Sequence, residues 1–209
     1  MIEVDPPGLD PASGRRWLTL SDHALWLAKA VRRDRPESSV VVVGHSLGGL
    51  VALRLALDHP DLVAGLLLLD PSPLMPAALL PAPPLQLIGT CRRVAGEVSA
   101  IGRRVSRRQR SPAAPRAVPT LARMIWYLGF DGAALAADLA AGRLRAVPTV
   151  VVSAGEHAPD SATRRTHERL VGWIAGADLE VWEGTTHPLH LQQPGRVAEA
   201  ALTLLARVT

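Results

Sequence analysis

The 209 residues are 48% hydrophobic and 20% charged, a globular composition of one-domain length that excludes a largely disordered chain. The single cysteine, Cys91, excludes an intrachain disulfide, and no apolar run reaches the roughly 18 residues a membrane helix needs. The net charge of +4 is local in origin: residues 92–116 hold Arg92, Arg93, Arg103, Arg104, Arg107, Arg108, Arg110 and Arg116 against Glu97, a local +7 that leaves −3 for the rest.

The first residues, Met1 to Pro11, contain no basic segment followed by an apolar core, so they are not read as a signal peptide, and a cytoplasmic location is expected. A strand stub, Ile2-Glu3-Val4, precedes the turn signal Asp5-Pro6-Pro7-Gly8. Trp17 to Arg33 reads as a helix starting at Ser13 or Thr19. Val40 to Val43 is a β-branched run that reads as a strand buried on both faces. Leu47 to His59 is helical and stopped by Pro60. Gly65 to Asp70 is the next strand. Six prolines within residues 71–84 then bar a regular helix. After the arginine-rich stretch, helices are expected at Thr120–Leu128 and Gly132–Ala141. Val147–Ser153 and Leu179–Trp182 read as strands, and Ser161–Ala175 and Pro194–Val208 as helices. The alternation predicts a three-layer α/β/α sandwich with a mostly parallel sheet. Residues 1–70 and 147–209 form its core, and residues 71–146 are a helical lid inserted between two strands.

The chemistry is concentrated in Gly44-His45-Ser46-Leu47-Gly48-Gly49, which lies between a strand and a helix. A chain that turns from strand into helix within these few residues must bend sharply, and small neighbours permit the strained backbone this imposes on Ser46. Such a bend lifts the Ser46 hydroxyl above the carboxyl edge of the sheet. It also aims the Leu47 amide, at the helix start, toward a developing negative charge.

A serine hydroxyl needs a base within hydrogen-bond reach. His187 is the candidate, because it follows the last strand and the Gly184-Thr185-Thr186 turn and should reach the same sheet edge; His190 is its rival. His23, His59 and His167 are given no role. No histidine–cysteine cluster has metal-ligand spacing, so neither metal nor cofactor is expected.

The block VVVVGHSLGGLVALRLALDHPDLVAGLLLLDPS, residues 40–72, together with Gly184-Thr185-Thr186-His187 and Asp5-Pro6-Pro7-Gly8-Leu9, resembles the α/β-hydrolase fold family. The resemblance implies a serine hydrolase acting on an ester, an amide or a related carbonyl compound. Ser46 would be the nucleophile, His187 the base, and the Leu47 amide part of the oxyanion hole. Thr186 stands where the family commonly has glycine. The family's acid usually lies in the loop after the seventh strand, here residues 154–160. The common position falls on His157 or Ala158, so Asp160 is the first choice and Glu156 a substitute. Asp70 is the other option, since some members place the acid after the sixth strand. A serine at the bend speaks against dehalogenase or epoxide-hydrolase chemistry, for which the family uses aspartate.

The resemblance also implies three strands ahead of Asp5 and a His-Gly loop that donates a second oxyanion amide. Neither is in the sequence. Val40–Val43 is therefore expected to form an exposed edge, open to oligomer formation. Either the chain is a truncated form, or Ile2–Val4 slips in beside that edge. In the lid, Leu74–Leu87, Ile125, Trp126 and Leu128 either line an acyl-sized pocket or pack the lid onto the core. Cys91 reads as a small packed residue. The arginine-rich segment lacks aromatic residues to stack bases, so no nucleic acid is expected; it reads as a solvated lid face, with contact to anionic membranes or acidic substrates as the second reading. The expected partner is a small-molecule substrate. The alternative is a catalytically weak or inactive hydrolase-like binding protein.

Overall fold

Side-chain alternation along the strands sets the layers. In a computed structural model, which describes residues 19–74 and 131–208, four strands form a parallel sheet: β1 (Val40–His45), β2 (Val63–Leu69), β3 (Thr149–Ala154) and β4 (Ala177–Trp182), in the order β1-β2-β3-β4. Parallel neighbours need crossover connections, and helices supply them. α1 (Leu20–Asp34) precedes β1, α2 (Leu47–Asp58) links β1 to β2, α3 (Gly132–Ala140) leads into β3, α4 (Ala162–Trp173) links β3 to β4, and α5 (Leu189–Gln192) and α6 (Pro194–Ala206) follow β4.

Successive strand residues face opposite sides, so each face gathers its own core. Leu66, Leu68 and Val151 pack with α1, α2, α3 and α4 on one side. Leu67, Leu69, Val150 and Val152 pack with Trp182, Leu189 and Leu204 on the other. The expected three layers result. Among the described residues no helix is long and apolar enough to cross a membrane.

Local chemistry accounts for the boundaries. α1 begins at Thr19, whose hydroxyl accepts from the Asp22 amide (3.1 Å) while the Asp22 carboxylate accepts from the Thr19 amide (2.8 Å), a reciprocal cap. Ser161 caps α4 through the Arg164 amide at 3.1 Å. Pro194 occupies the first turn of α6, where its missing N–H removes no helical bond. α3, at the carboxyl end of the expected insertion, is held against α2 by Arg54, which pairs with Asp58 and, at 2.8 Å, with Asp138.

β1 is not buried on both faces and lies at the edge of the sheet among the described residues. Val40–Val43 is half-buried and Val43 is 44% exposed, because among the described residues only β2 flanks β1. Ile2–Val4, Ser13, Cys91, the arginine-rich segment, the Thr120–Leu128 helix and the pocket candidates Ile125, Trp126 and Leu128 lie outside the described residues, as does most of Leu74–Leu87.

Candidate active site

Ser46 follows the end of β1 and precedes α2, with φ 54° and ψ −121°. That left-handed backbone is costly for a residue with a Cβ, about 1–3 kcal/mol, and persists only where its surroundings impose it. They do so here. A Cβ on Gly44 would stand 2.5 Å from the Gly48 carbonyl oxygen, and one on Gly49 would stand 2.9 Å from Pro71 Cβ, so the first turn of α2 sits directly against strand ends. Ser46 occupies the cap position of α2, yet its hydroxyl makes no capping bond. Instead Oγ is 3.0 Å from His187 Nε2.

His187 sits on the loop after β4, and that loop is tied at several points. Thr185 is buried, and its hydroxyl donates to the Trp182 carbonyl at 2.6 Å. Thr186 donates its amide to the Gln192 side-chain oxygen and accepts from the Gln192 amide group, so the side chain present in place of the family's glycine has its own partner. The His187 amide donates to Glu156 Oε1 at 2.6 Å, and its carbonyl accepts from His45 Nε2 at 2.8 Å. Burial pushes the His45 imidazole below its ordinary pKa, the bond to the His187 carbonyl opposing, which suits a neutral ring donating one N–H.

The carboxylate that reaches the imidazole is Asp70. Its Oδ2 lies 2.6 Å from His187 Nδ1, and the residue is 2% exposed at the end of β2. Its φ is 43°; Ser46 and Asp70 are the two non-glycine residues of positive φ among those described. Both strained positions thus lie at the carboxyl ends of neighbouring strands, within one hydrogen-bonded chain. Burial alone would raise the Asp70 pKa. The Ala154 amide, His187 and His157 all donate to its oxygens, and together they hold the carboxyl below its ordinary range.

A carboxylate can only accept, so His187 presents Nδ1–H to Asp70 and a free Nε2 lone pair to Ser46. The Ser46 proton then points at Nε2, and its oxygen accepts from the Ser72 hydroxyl 3.3 Å away. His167, fully buried, fixes the neighbouring turn: its Nε2–H donates to the Pro71 carbonyl at 2.9 Å, and its Nδ1 accepts from Ser153.

The other sequence candidates fall elsewhere. Asp160, the first-choice acid, is exposed just ahead of α4, and its backbone carbonyl accepts from Arg165. No bond joins it to the His187 ring among the described residues, whereas the strand-end alternative, Asp70, lies 2.6 Å from that ring. Glu156 meets the backbone of His187, not its ring. His190 lies in α5, its ring 4.1 Å from that of His45. Leu47 opens α2, where first-turn amides lack intrahelical acceptors. The sequence reading gave no part to His157, whose Nε2 is 3.0 Å from both Asp70 oxygens. A signal existed: a histidine occupies the place where a carboxylate was sought, which is the complement expected when the acid lies on another strand.

The alpha/beta hydrolase family profile matches residues 2–200. Over 70 residues the chain is 41% identical to a pimeloyl-[acyl-carrier protein] methyl ester esterase of Proteus mirabilis, a stretch covering 34% of this chain and 25% of that protein. Over 43 residues it is 54% identical to the lipase LipV of Mycobacterium tuberculosis, covering 21% and 16% respectively. The matches therefore span a quarter or less of these curated relatives. A thermophilic esterase from Thermogutta terrifontis shares the fold, with a TM-score of 0.57 at 24% identity over 91% of this chain and 73% of that one. With a profile match that runs through both halves of the sheet and takes in Ser46, Asp70 and His187, the chain belongs to the alpha/beta hydrolase family.

Proposed function

We propose that the protein is a serine hydrolase of carboxylic esters or related carbonyl compounds. The observation that carries this reading is the unbroken hydrogen-bond chain Ser46–His187–Asp70, with the serine held in a backbone conformation it would not adopt unaided. The esterase and lipase identities of the two curated relatives add support for the reaction class.

In this mechanism Ser46 Oγ attacks the carbonyl carbon while His187 Nε2 takes its proton. The Asp70 carboxylate, which accepts Nδ1–H, stabilises the resulting imidazolium. The Leu47 amide donates to the tetrahedral oxyanion, a contact of the kind worth about 10²–10³ in rate. His187 then protonates the departing alcohol. Water, deprotonated by the same ring, releases the acyl group. Residues 71–146 act as the lid that selects the acyl chain, and no cofactor takes part.

A fluorophosphonate probe tests the reading, because its phosphorus is attacked by an activated serine hydroxyl with loss of fluoride. Wild type should be labelled and Ser46→Ala should not. A folded wild-type protein that resists labelling would favour a hydrolase-like binding protein instead.

A further inference from the structure

We propose that His157 is a positioning residue for hydrolysis, holding the Asp70 carboxylate in the place that serves His187. The inference rests on the reading of Ser46, His187 and Asp70 as a hydrolytic triad.

Asp70 is removed from water, so each of its lone pairs needs a protein donor. Oδ1 receives the Ala154 amide at 2.9 Å and Oδ2 receives His187 Nδ1 at 2.6 Å. His157 Nε2 adds a contact of 3.0 Å to each oxygen. Equal distances place this donor midway between the two oxygens. A swing of the whole carboxylate about the Asp70 Cα–Cβ bond would stretch or compress these contacts, and the same swing would move Oδ2 relative to Nδ1.

His157 is itself anchored. Its amide donates to the Ala154 carbonyl at 3.2 Å, and its carbonyl accepts from Arg164 Nη2 at 3.0 Å. Arg164 is buried and also donates through Nε to Ser153 Oγ. A rigid link therefore runs from β3 and α4 through His157 to Asp70. The loop after β3 supplies the second imidazole donor to Asp70. A carboxylate placed within reach of Asp70 there would repel it; an N–H donor is the matching group.

Replacing His157 by leucine keeps approximate bulk and removes the donor, whereas glutamine keeps a donor. With p-nitrophenyl acetate and the full chain, His157→Leu should lower kcat about tenfold, the cost of one hydrogen bond to a charged group, with KM within about twofold. His157→Gln should recover kcat to within about threefold of wild type. Equal losses in both variants, no loss in either, or a change confined to KM would overturn the proposal. Should the leucine variant not fold, His157→Ala takes its place. If neither folds, His157→Gln decides alone, and a kcat below about a tenth of wild type defeats the idea. Fluorophosphonate labelling separates the levels: absent or Ser46-independent labelling of wild type removes the triad reading itself, whereas Ser46-dependent labelling with His157→Leu kinetics at wild-type level removes only the role of His157.

Discussion

Asp70 and Asp160, the two carboxylates weighed for the proposed triad, differ in exposure and in contact with the imidazole. The first is 2% exposed and bonded to the imidazole; the second faces solvent and reaches His187 by no bond among those described. Asp70→Asn leaves a group of the same shape but one that cannot hold an imidazolium. It should lower kcat by about 10⁴-fold while the protein stays folded. Asp160→Asn, at an exposed position, should leave kcat and stability within about twofold. Steady-state kinetics of the two variants, each checked by circular dichroism, make the comparison. Comparable losses in both would return the acid to the loop after β3. Sequence spacing pointed to that loop because it counts residues along the chain. The pairing is made across strands, between residues 117 apart in sequence.

The turn between β1 and α2 acts as a unit, and its glycines are not equivalent. Gly44 lies under the Gly48–Gly49 backbone, with 2.5 Å from its would-be Cβ to the Gly48 carbonyl oxygen; a Cβ on Gly48 meets nothing within 4 Å among the described residues. Gly44→Ala must therefore push α2 off the strand end and should cost about 3 kcal/mol or more, with loss of activity. Gly48→Ala gains helix propensity in the first turn of α2 and should be neutral or stabilising by up to about 1 kcal/mol. Chemical denaturation of the two variants measures both. A Gly44→Ala protein as stable as wild type would show that the helix does not press on the strand as described. The motif's position between strand and helix was legible in the sequence. Which of its glycines carries the close contact was not, because that depends on how deeply the helix seats.

Across the whole molecule, histidines set the response to acid. His23, His45 and His167 are all pushed below the ordinary histidine pKa, in each case chiefly by burial. A histidine whose pKa is depressed in the folded state binds its proton more readily when unfolded, so its contribution to stability is present above the unfolded value of about 6.5 and is lost as pH falls from there toward the folded value. Asp70, also depressed, adds a second loss at lower pH, starting near the ordinary aspartate value of about 3.9 and continuing as pH falls through its folded value. The melting temperature should accordingly fall between pH 7.5 and pH 5. His167→Gln, which removes one of the three histidines, should show a smaller fall. Differential scanning calorimetry at the two pH values tests this. A variant that loses as many degrees as wild type would exclude His167 from the effect.

The alternation of the four described strands with their main helices, the bend that carries Ser46, and the imidazole that meets it were legible in the sequence. These are local matters: runs of β-branched and leucine residues, capping groups and turn residues act over a few positions. Val63–Leu69 became a strand and Leu47–Asp58 a helix for reasons written within each segment. Only the folded arrangement shows which carboxylate faces His187 and that His157 meets the same carboxylate. Those outcomes follow from which strand ends become neighbours and from which polar groups the packing strips of water, and neither is encoded at a fixed spacing along the chain.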